Sequence, residues 1–192
     1  MKYLLFILFP LNIWASELSN TEIYYVEKTF STVERAIKRV SPKMAKKKRK
    51  RLSVLITLAA KKYKIDPRIM ISIMKIESLF DQKAYNPSGD HSIAQINYKI
   101  WKEEFKNLKR PELMFKRLKK DDAYAIFRMA EILSIERARY KGNKWHLTYH
   151  SRKKEHRDKY EINYNKQFKK LKVFGPDILN KFPEDSIRAV SY

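Results

Sequence analysis

The stretch that decides the fold is DPRIMISIMKIESLFDQKAYNPSGDHSIAQ, residues 66–95. Asp66 followed by Pro67 predicts a helix that starts at Pro67, because aspartate caps free backbone N–H groups and the first helical residue needs no N–H of its own. We expect Arg68 and Lys75 to point away from an apolar side. That side carries Ile69, Met70, Ile73, Met74, Ile76 and Phe80. Glu77 projects onto the same side, where a helix should carry a hydrocarbon.

A carboxylate among apolar neighbours suits acid catalysis. Partial loss of water disfavours its charged form, so Glu77 should hold a proton near neutral pH and serve as a general acid. Two structural alternatives stay open from the spacing alone. Glu77 could turn to solvent at a frayed helix end, or it could pair with a cation of the core.

Four short motifs follow one another along the chain. They are IESLF (76–80), NPSG (86–89), SIAQIN (92–97) with Trp101 just beyond, and LTYHS (147–151). In this order they resemble the lytic transglycosylase family (soluble lytic transglycosylase, SLT), whose pattern is Glu-Ser, Ser-Pro-x-Gly, Gly-Leu-Met-Gln and a later tyrosine motif. The spacing from Glu77 to Gln95 fits that pattern. The resemblance spans roughly residues 52–171, most of the chain.

The resemblance implies a fold and an activity. The fold would be all α, a single lysozyme-like helical domain, here with an added N-terminal amphipathic helix. Glu77 would protonate the bond between N-acetylmuramic acid and N-acetylglucosamine, and its carboxylate would then take a proton from the muramoyl 6-hydroxyl. The product would carry a 1,6-anhydro ring. No cofactor and no metal is implied.

The resemblance also implies further site residues. Gln95 would hydrogen-bond the substrate or line the cleft, and Tyr149 would orient Glu77 through its hydroxyl. Ser78 and Asn86 complete the predicted substrate-binding set. A loop glutamine and a core tyrosine are the structural alternatives for Gln95 and Tyr149.

Three positions depart from the family's pattern. Asn86 replaces the serine before the turn proline, Ser92 replaces the first glycine of Gly-Leu-Met-Gln, and Ala94 replaces its methionine. Serine at a glycine position would strain the backbone if φ is positive there. Two other functions stay open: a non-catalytic peptidoglycan- or polyanion-binding module that has lost activity through the changes at Ser92 and Ala94, and a hydrolase of the goose-type lysozyme sort.

A hydrolase that uses two carboxylates would need a second acid across the sugar. The nearby candidates are Asp81, Asp90, Glu103 and Glu104, and none has a convincing position in the sequence. The histidines give little support for a metal site. His146 and His150 are four residues apart, but no glutamate stands between them in an HExxH pattern.

Composition indicates an exported protein that meets an acidic partner. The formal net charge is +22, and there is no cysteine among the 192 residues. Lys2, an apolar run and Ile-Trp-Ala before Ser16 predict a signal peptide cleaved after Ala15. The apolar run is too short for a stable membrane anchor. We therefore expect the periplasm or cell wall as the location.

The glycan strands of peptidoglycan are the expected partner. Its carboxylate-bearing peptides would suit the positive charge, as anionic lipid and nucleic acid also would, and export disfavours nucleic acid. A wall-associated protein is left open as a further partner, and so is the oligomeric state. The positive charge has an alternative explanation as a solubilising surface.

Periodicity and turn residues divide the chain into four segments. These are the signal peptide 1–15, an N-terminal helix with a basic linker 16–51, the catalytic domain 52–172, and a tail 173–192. The basic run 43–51 is either a linker or a solvated helix face. Within the domain we predict a helix from Leu52, the Glu77 helix, and a turn at 86–90. Further helices should contain Ile96 to Phe105, Ala123 to Arg137, Trp145 to His150, and Tyr160 to Leu171.

Overall fold

The structure, a computed structural model, describes residues 20–140 and 142–174. The predicted signal peptide and most of the predicted tail lie outside the described residues. The α-helices are α1 (Asn20–Val40), α2 (Lys46–Tyr63), α3 (Pro67–Glu77), α4 (Tyr98–Asn107), α5 (Phe115–Lys120), α6 (Asp122–Arg139) and α7 (Lys154–Leu171). Two 3₁₀ helices cover Trp145–Tyr149 and Lys172–Phe174, and one small hairpin pairs β1 (Asp90–His91) with β2 (Ile96–Asn97).

The central element is α3, which packs against α1, α2 and α7. It starts at Pro67 as predicted, and the Asp66 side chain accepts a hydrogen bond of 2.8 Å from the Arg68 N–H. Ile71, Ile73 and the other residues of its middle turns are fully buried. The catalytic candidate therefore sits at the end of a helix that neighbours hold on several sides.

The prediction that Arg68 points away from the apolar region was wrong. Arg68 is 8% exposed. Its guanidinium pairs with Asp66 at 2.6 Å and lies 5.3 Å from the ring centroid of Phe168 in α7. A planar guanidinium can stack on an aromatic ring while its N–H groups bond to a carboxylate. Arg68 can therefore be buried on the side of α3 that α7 covers.

The basic run belongs to a helix. Residues 46–51 form the first turns of α2, which therefore begins before the predicted start at Leu52. Arg49 is buried against α1, where it bonds to Glu34 at 3.1 Å, while Lys47, Lys48 and Lys50 are exposed. Like charges are tolerated here because one face of α2 packs on α1 and the other remains solvated.

A hairpin follows α3 where only a turn was predicted. Asp90 pairs with Asn97 and His91 pairs with Ile96. The placement of Ile96 in the next helix was therefore wrong. That helix, α4, begins at Tyr98, and the Asn97 side chain caps it by accepting from the Ile100 N–H at 3.3 Å.

The C-terminal half follows the prediction more closely. Asp121 caps α6 by accepting from the Tyr124 N–H at 3.0 Å, and Gly142 has a φ of +109° after the helix. The buried face of α7 carries Tyr160, Tyr164 and Leu171. The all-α prediction is confirmed, apart from the two-residue strands. Among residues 20–140 and 142–174, no helix combines the length and apolar character needed to cross a membrane.

Candidate active site

Glu77 is the last residue of α3, and its side chain is 14% exposed. Its Oε1 lies 2.9 Å from Nδ1 of His150, just after the 3₁₀ helix. The His150 ring stacks on Tyr160 of α7, with centroids 4.2 Å apart and planes 7° from parallel. The carboxylate is thus largely withdrawn from water and contacted by a histidine that an aromatic ring holds in place.

The Tyr160 hydroxyl also faces this carboxylate. It is buried and makes no hydrogen bond within the described part of the chain. Burial raises the pKa of Tyr160 well above its usual value, and the charge of Glu77 raises it further. The hydroxyl is therefore close to the Glu77 carboxylate.

Ser78 fixes the end of α3. Its hydroxyl lies 2.6 Å from the Ile93 carbonyl oxygen and 3.0 Å from that of Met74, and it accepts from the Phe80 N–H at 3.1 Å. Leu79 and Phe80 follow with φ values of +53° and +63°. Two successive left-handed residues turn the chain sharply after Glu77, and Ser78 connects that turn to the segment before β2. All three contacts of the Ser78 hydroxyl are thus with backbone groups at this turn or in the segment before β2.

Gln95 has a comparable position on the hairpin. It is 8% exposed, and its amide nitrogen donates to the carbonyl oxygens of Ala84 and Ser92, each at 3.0 Å. Ser92 has a φ of +74° and is 1% exposed. The strain expected for a serine at this glycine position is therefore present. The Gln95 side chain therefore links the backbone at Ala84 to the backbone at Ser92, on either side of β1.

Asn86 closes the turn that leads into β1. Its amide nitrogen donates to Asp90 Oδ2 at 2.6 Å, and its amide oxygen accepts from the Asp90 N–H at 3.1 Å. The other carboxylate oxygen of Asp90 accepts from Asn97 at 2.9 Å. Asp90 is consequently held by two amide groups, one from the turn before β1 and one from the end of β2.

Tyr149 does not bond to Glu77. Its hydroxyl donates to the carbonyl oxygen of Ala94 at 2.6 Å. Burial raises the pKa of Tyr149 well above its usual value, and the charges of Glu77 and Asp90 add to the effect. The residue is partly exposed as a whole, but its hydroxyl is enclosed. In the structure, the side chain that contacts Glu77 is His150, one residue further along.

His150 and Tyr160 are the two residues near Glu77 that the sequence analysis did not place in the site. His150 stands inside the LTYHS motif, so the motif itself was the available signal. Tyr160 was assigned to the buried face of α7, and nothing local distinguishes it from Tyr164 on the same face. Only the packing of α7 against α3 brings its ring to Glu77.

The other carboxylates near the hairpin already have structural partners or lie on the surface. Asp81 accepts from the Lys83 N–H at 2.9 Å, and Asp90 is held as described. Glu104 bonds to two arginines, of which Arg139 contributes most to lowering the pKa of that carboxyl. Glu103 is exposed on α4. The described residues therefore give Glu77 no obvious carboxylate partner for a two-acid reaction.

The two histidines of the 3₁₀ segment have separate surroundings. His146 lies 4.4 Å from the ring centroid of Tyr164, and burial lowers its pKa to about 4. His150 faces Glu77. Within residues 20–140 and 142–174, no three histidine, aspartate or glutamate side chains are grouped so as to hold a metal ion.

Comparison with known proteins gives one match. The model of the transglycosylase SLT domain matches residues 54–172, more than half of the chain, and this family has a lysozyme-like all-α fold. No curated protein and no solved structure matches the sequence. The matched segment contains α3 with Glu77, the hairpin, His150 and Tyr160. The chain belongs to the transglycosylase SLT domain family.

Proposed function

We propose that this protein is a peptidoglycan lytic transglycosylase in which Glu77 acts first as acid and then as base. The family's activity on peptidoglycan supplies the substrate class. The observation that carries the proposal is the largely buried carboxylate at the end of α3, contacted at 2.9 Å by a histidine. Action on peptidoglycan places the protein in the periplasm or at the cell wall.

The first step breaks the glycosidic bond. Protonated Glu77 gives its proton to the bridging oxygen as the bond from that oxygen to C1 of N-acetylmuramic acid breaks. Positive charge develops on C1 and the ring oxygen, and the N-acetylglucosamine unit leaves with the transferred proton.

The second step closes a ring within the same sugar. The muramoyl 6-hydroxyl oxygen bonds to C1, and its proton passes to the Glu77 carboxylate, which restores the acid. Attack from within the substrate removes the need to position a water molecule. The reaction therefore requires one carboxyl group, in keeping with the structural partners of Asp81, Asp90 and Glu104.

His150 is proposed as the residue that orients Glu77, in place of the Tyr149 hydroxyl. When Glu77 is ionised, an N–H at Nδ1 can donate to Oε1; when Glu77 is protonated, its O–H can donate to an unprotonated Nδ1. The same contact can persist in both halves of the reaction. Stacking on Tyr160 fixes the ring, so the carboxyl is held at a constant angle to the cleft.

Ser78, Asn86, Gln95 and Tyr149 are proposed to shape the cleft through the backbone. Each bonds to main-chain groups, or to another residue of the hairpin, between Met74 and Asn97. They would act on the substrate by fixing the hairpin opposite Glu77. The presence of these polar contacts around Ser92 and Ala94 supports an ordered cleft.

Analysis of the sugar ends released from purified sacculi tests the proposal. A lytic transglycosylase releases 1,6-anhydro-muramoyl ends, whereas a goose-type hydrolase releases reducing ends with one more molecule of water. Glu77→Gln should abolish release, while Glu103→Gln is a matched control on the exposed face of α4. Reducing ends would replace the proposal by hydrolysis, and binding without products would indicate a non-catalytic module.

A further inference from the structure

A second cleft lies on the hairpin. It has a volume of about 470 Å³, and its lining includes Lys83, Tyr85, His91 and Lys119. The lining also includes Ala84 and Ser92, whose carbonyl oxygens accept hydrogen bonds from the Gln95 amide nitrogen. The cleft is thus lined in part by the backbone segments that the Gln95 side chain holds together.

The cleft and the Asn86–Asp90 clamp lie on opposite faces of this segment. Tyr85 pairs with His91 in an antiparallel bridge, and neighbouring residues in extended chain point to opposite sides. Tyr85 and His91 therefore share one face, and Asn86 and Asp90 share the other. The hydroxyls of Ser78 and Tyr149 bond to the carbonyl oxygens of Ile93 and Ala94, so the contacts from the catalytic side reach this segment beyond the residues that line the cleft.

One wall of the cleft is aromatic. Tyr85 is 62% exposed and stacks on His91 with centroids 4.9 Å apart. His91 in turn meets the ring of Phe115 edge-on at 5.0 Å. An exposed ring that is backed by two others offers a rigid flat surface, and the apolar face of a pyranose is a suitable ligand for it.

Two cations flank this wall. Lys83 and Lys119 are both exposed, and in the described part of the chain neither ammonium has a carboxylate within 4 Å. Lys119 lies 5.2 Å from the ring centroid of Phe115. Burial lowers the pKa of His91, and the charge of Lys119 lowers it further, so the histidine contributes an aromatic ring more than a charge. The lysines leave the cleft with a positive charge.

We propose that this cleft binds a carboxylate-bearing sugar-peptide unit of peptidoglycan, outside the reaction cleft, with the sugar on Tyr85 and the peptide carboxylate between Lys83 and Lys119. The proposal rests on the proposed function, which makes peptidoglycan the substrate. Its effect would be to hold the enzyme on one part of the wall while Glu77 acts on another. A neutral chitin fragment offers the sugar face but no carboxylate, and should bind more weakly.

The test uses the full chain with Glu77→Gln, so that no ligand is consumed. Backbone amide signals are followed by NMR during titration with N-acetylmuramoyl-L-alanyl-D-isoglutamine and, separately, with chitotetraose. We expect the muramoyl dipeptide to shift the signals of Ala84, Tyr85 and His91, with chitotetraose binding at least about threefold more weakly at these positions.

Surface variants locate the binding. Lys119→Gln and Tyr85→Ala should each weaken binding of the muramoyl dipeptide roughly three- to tenfold, as measured from the shifts of these signals. Lys99→Gln, which changes an exposed lysine of α4, is the matched control and should leave affinity unchanged. Both cleft side chains are exposed, so an unchanged spectrum away from the hairpin will show that the variants are folded.

Three results would overturn the proposal: shifts confined to residues around Glu77, equal effects of Lys119→Gln and Lys99→Gln, or inorganic phosphate producing the same shifts at similar concentration, which would indicate a simple anion site. The outcome is independent of catalysis. If the wild-type protein releases no anhydro products but the cleft binds the dipeptide as expected, only the proposed function fails.

Discussion

Removal of His150 should slow the reaction with little effect on substrate binding. In the His150→Ala protein, Glu77 loses the contact at 2.9 Å that fixes one of its carboxyl oxygens. A hydrogen bond to a charged group contributes about 1.5–3 kcal/mol. His150 is 35% exposed, so water can replace part of the contact and the lower end applies. Since about 1.4 kcal/mol is a factor of ten in rate, kcat should fall roughly tenfold or somewhat more.

The variant also loses the stacking contact with Tyr160, for which aromatic pairs indicate about 0.5–1.5 kcal/mol. Urea unfolding measures this loss separately from the rate. His150→Asn should recover part of kcat, because an amide can still donate to the carboxylate over a shorter reach. Thus rate and stability should respond differently to the two substitutions.

The assay is release of anhydro ends from a soluble glycan chain, with kcat and KM determined separately. His156→Ala is the matched control: this exposed histidine of α7 lies beside Glu155, at 3.6 Å. The control should match wild type. A His150→Ala protein with kcat within about twofold of wild type, or with a change in KM alone, would refute the orienting role.

Three further predictions concern buried groups. Tyr160→Phe removes a buried hydroxyl that has no hydrogen bond in the described residues, so urea unfolding should show a stability equal to wild type or up to about 1 kcal/mol higher. A variant less stable than wild type would contradict this. At Ser92, where φ is +74°, glycine should leave stability within about 1 kcal/mol of wild type, whereas the β-branched Ser92→Val should cost more than about 2 kcal/mol by thermal unfolding. Equal stability of the two would show that the backbone is unstrained. The pKa of His146 is lowered to about 4 in the fold against about 6.5 in an unfolded chain, so its stabilising contribution is complete above pH 6.5 and is lost as pH falls towards 4, by about 1–3 kcal/mol. Wild type should therefore lose more stability than His146→Phe between pH 7 and pH 4.5, and equal losses would contradict the assignment.

The elements that sequence analysis predicted well are those with local signals. Asp66 before Pro67 set the start of α3, because capping depends on side chains only a few residues from the groups they satisfy. Glu77 stood out because the helical spacing of apolar residues predicts a hydrocarbon side chain at its position. Each of these conclusions needed no knowledge of distant parts of the chain.

The missed elements depend on tertiary contacts. Two-residue strands carry no alternating pattern, so Ile96 fitted a helix until its pairing with His91 was known. Arg68 is covered because α7 places Phe168 over it, which no periodicity predicts. The basic run, predicted as a linker or a solvated helix face, is part of α2, but the burial of Arg49 against Glu34 on α1 was not predicted.

The same distinction applies to the candidate site. The motif LTYHS indicated the right segment, but a 3₁₀ helix ending at Tyr149 turns the next side chain, His150, towards Glu77 and directs the tyrosine to Ala94. Which of two adjacent side chains reaches a carboxylate depends on the backbone geometry of that turn. Motif order alone does not contain this information.

In the proposed reaction Glu77 supplies the proton for cleavage of the glycosidic bond and then recovers a proton from the muramoyl 6-hydroxyl. The most direct test of this role is mass-spectrometric analysis of fragments released from sacculi by wild type, Glu77→Gln and Glu103→Gln. Glutamine is nearly the same size but can neither give nor take the proton, and one residue performs both steps, so the loss should reach about 10⁴-fold. We expect 1,6-anhydro ends from wild type and Glu103→Gln and none from Glu77→Gln. Anhydro ends released by Glu77→Gln at near wild-type rate would contradict this role.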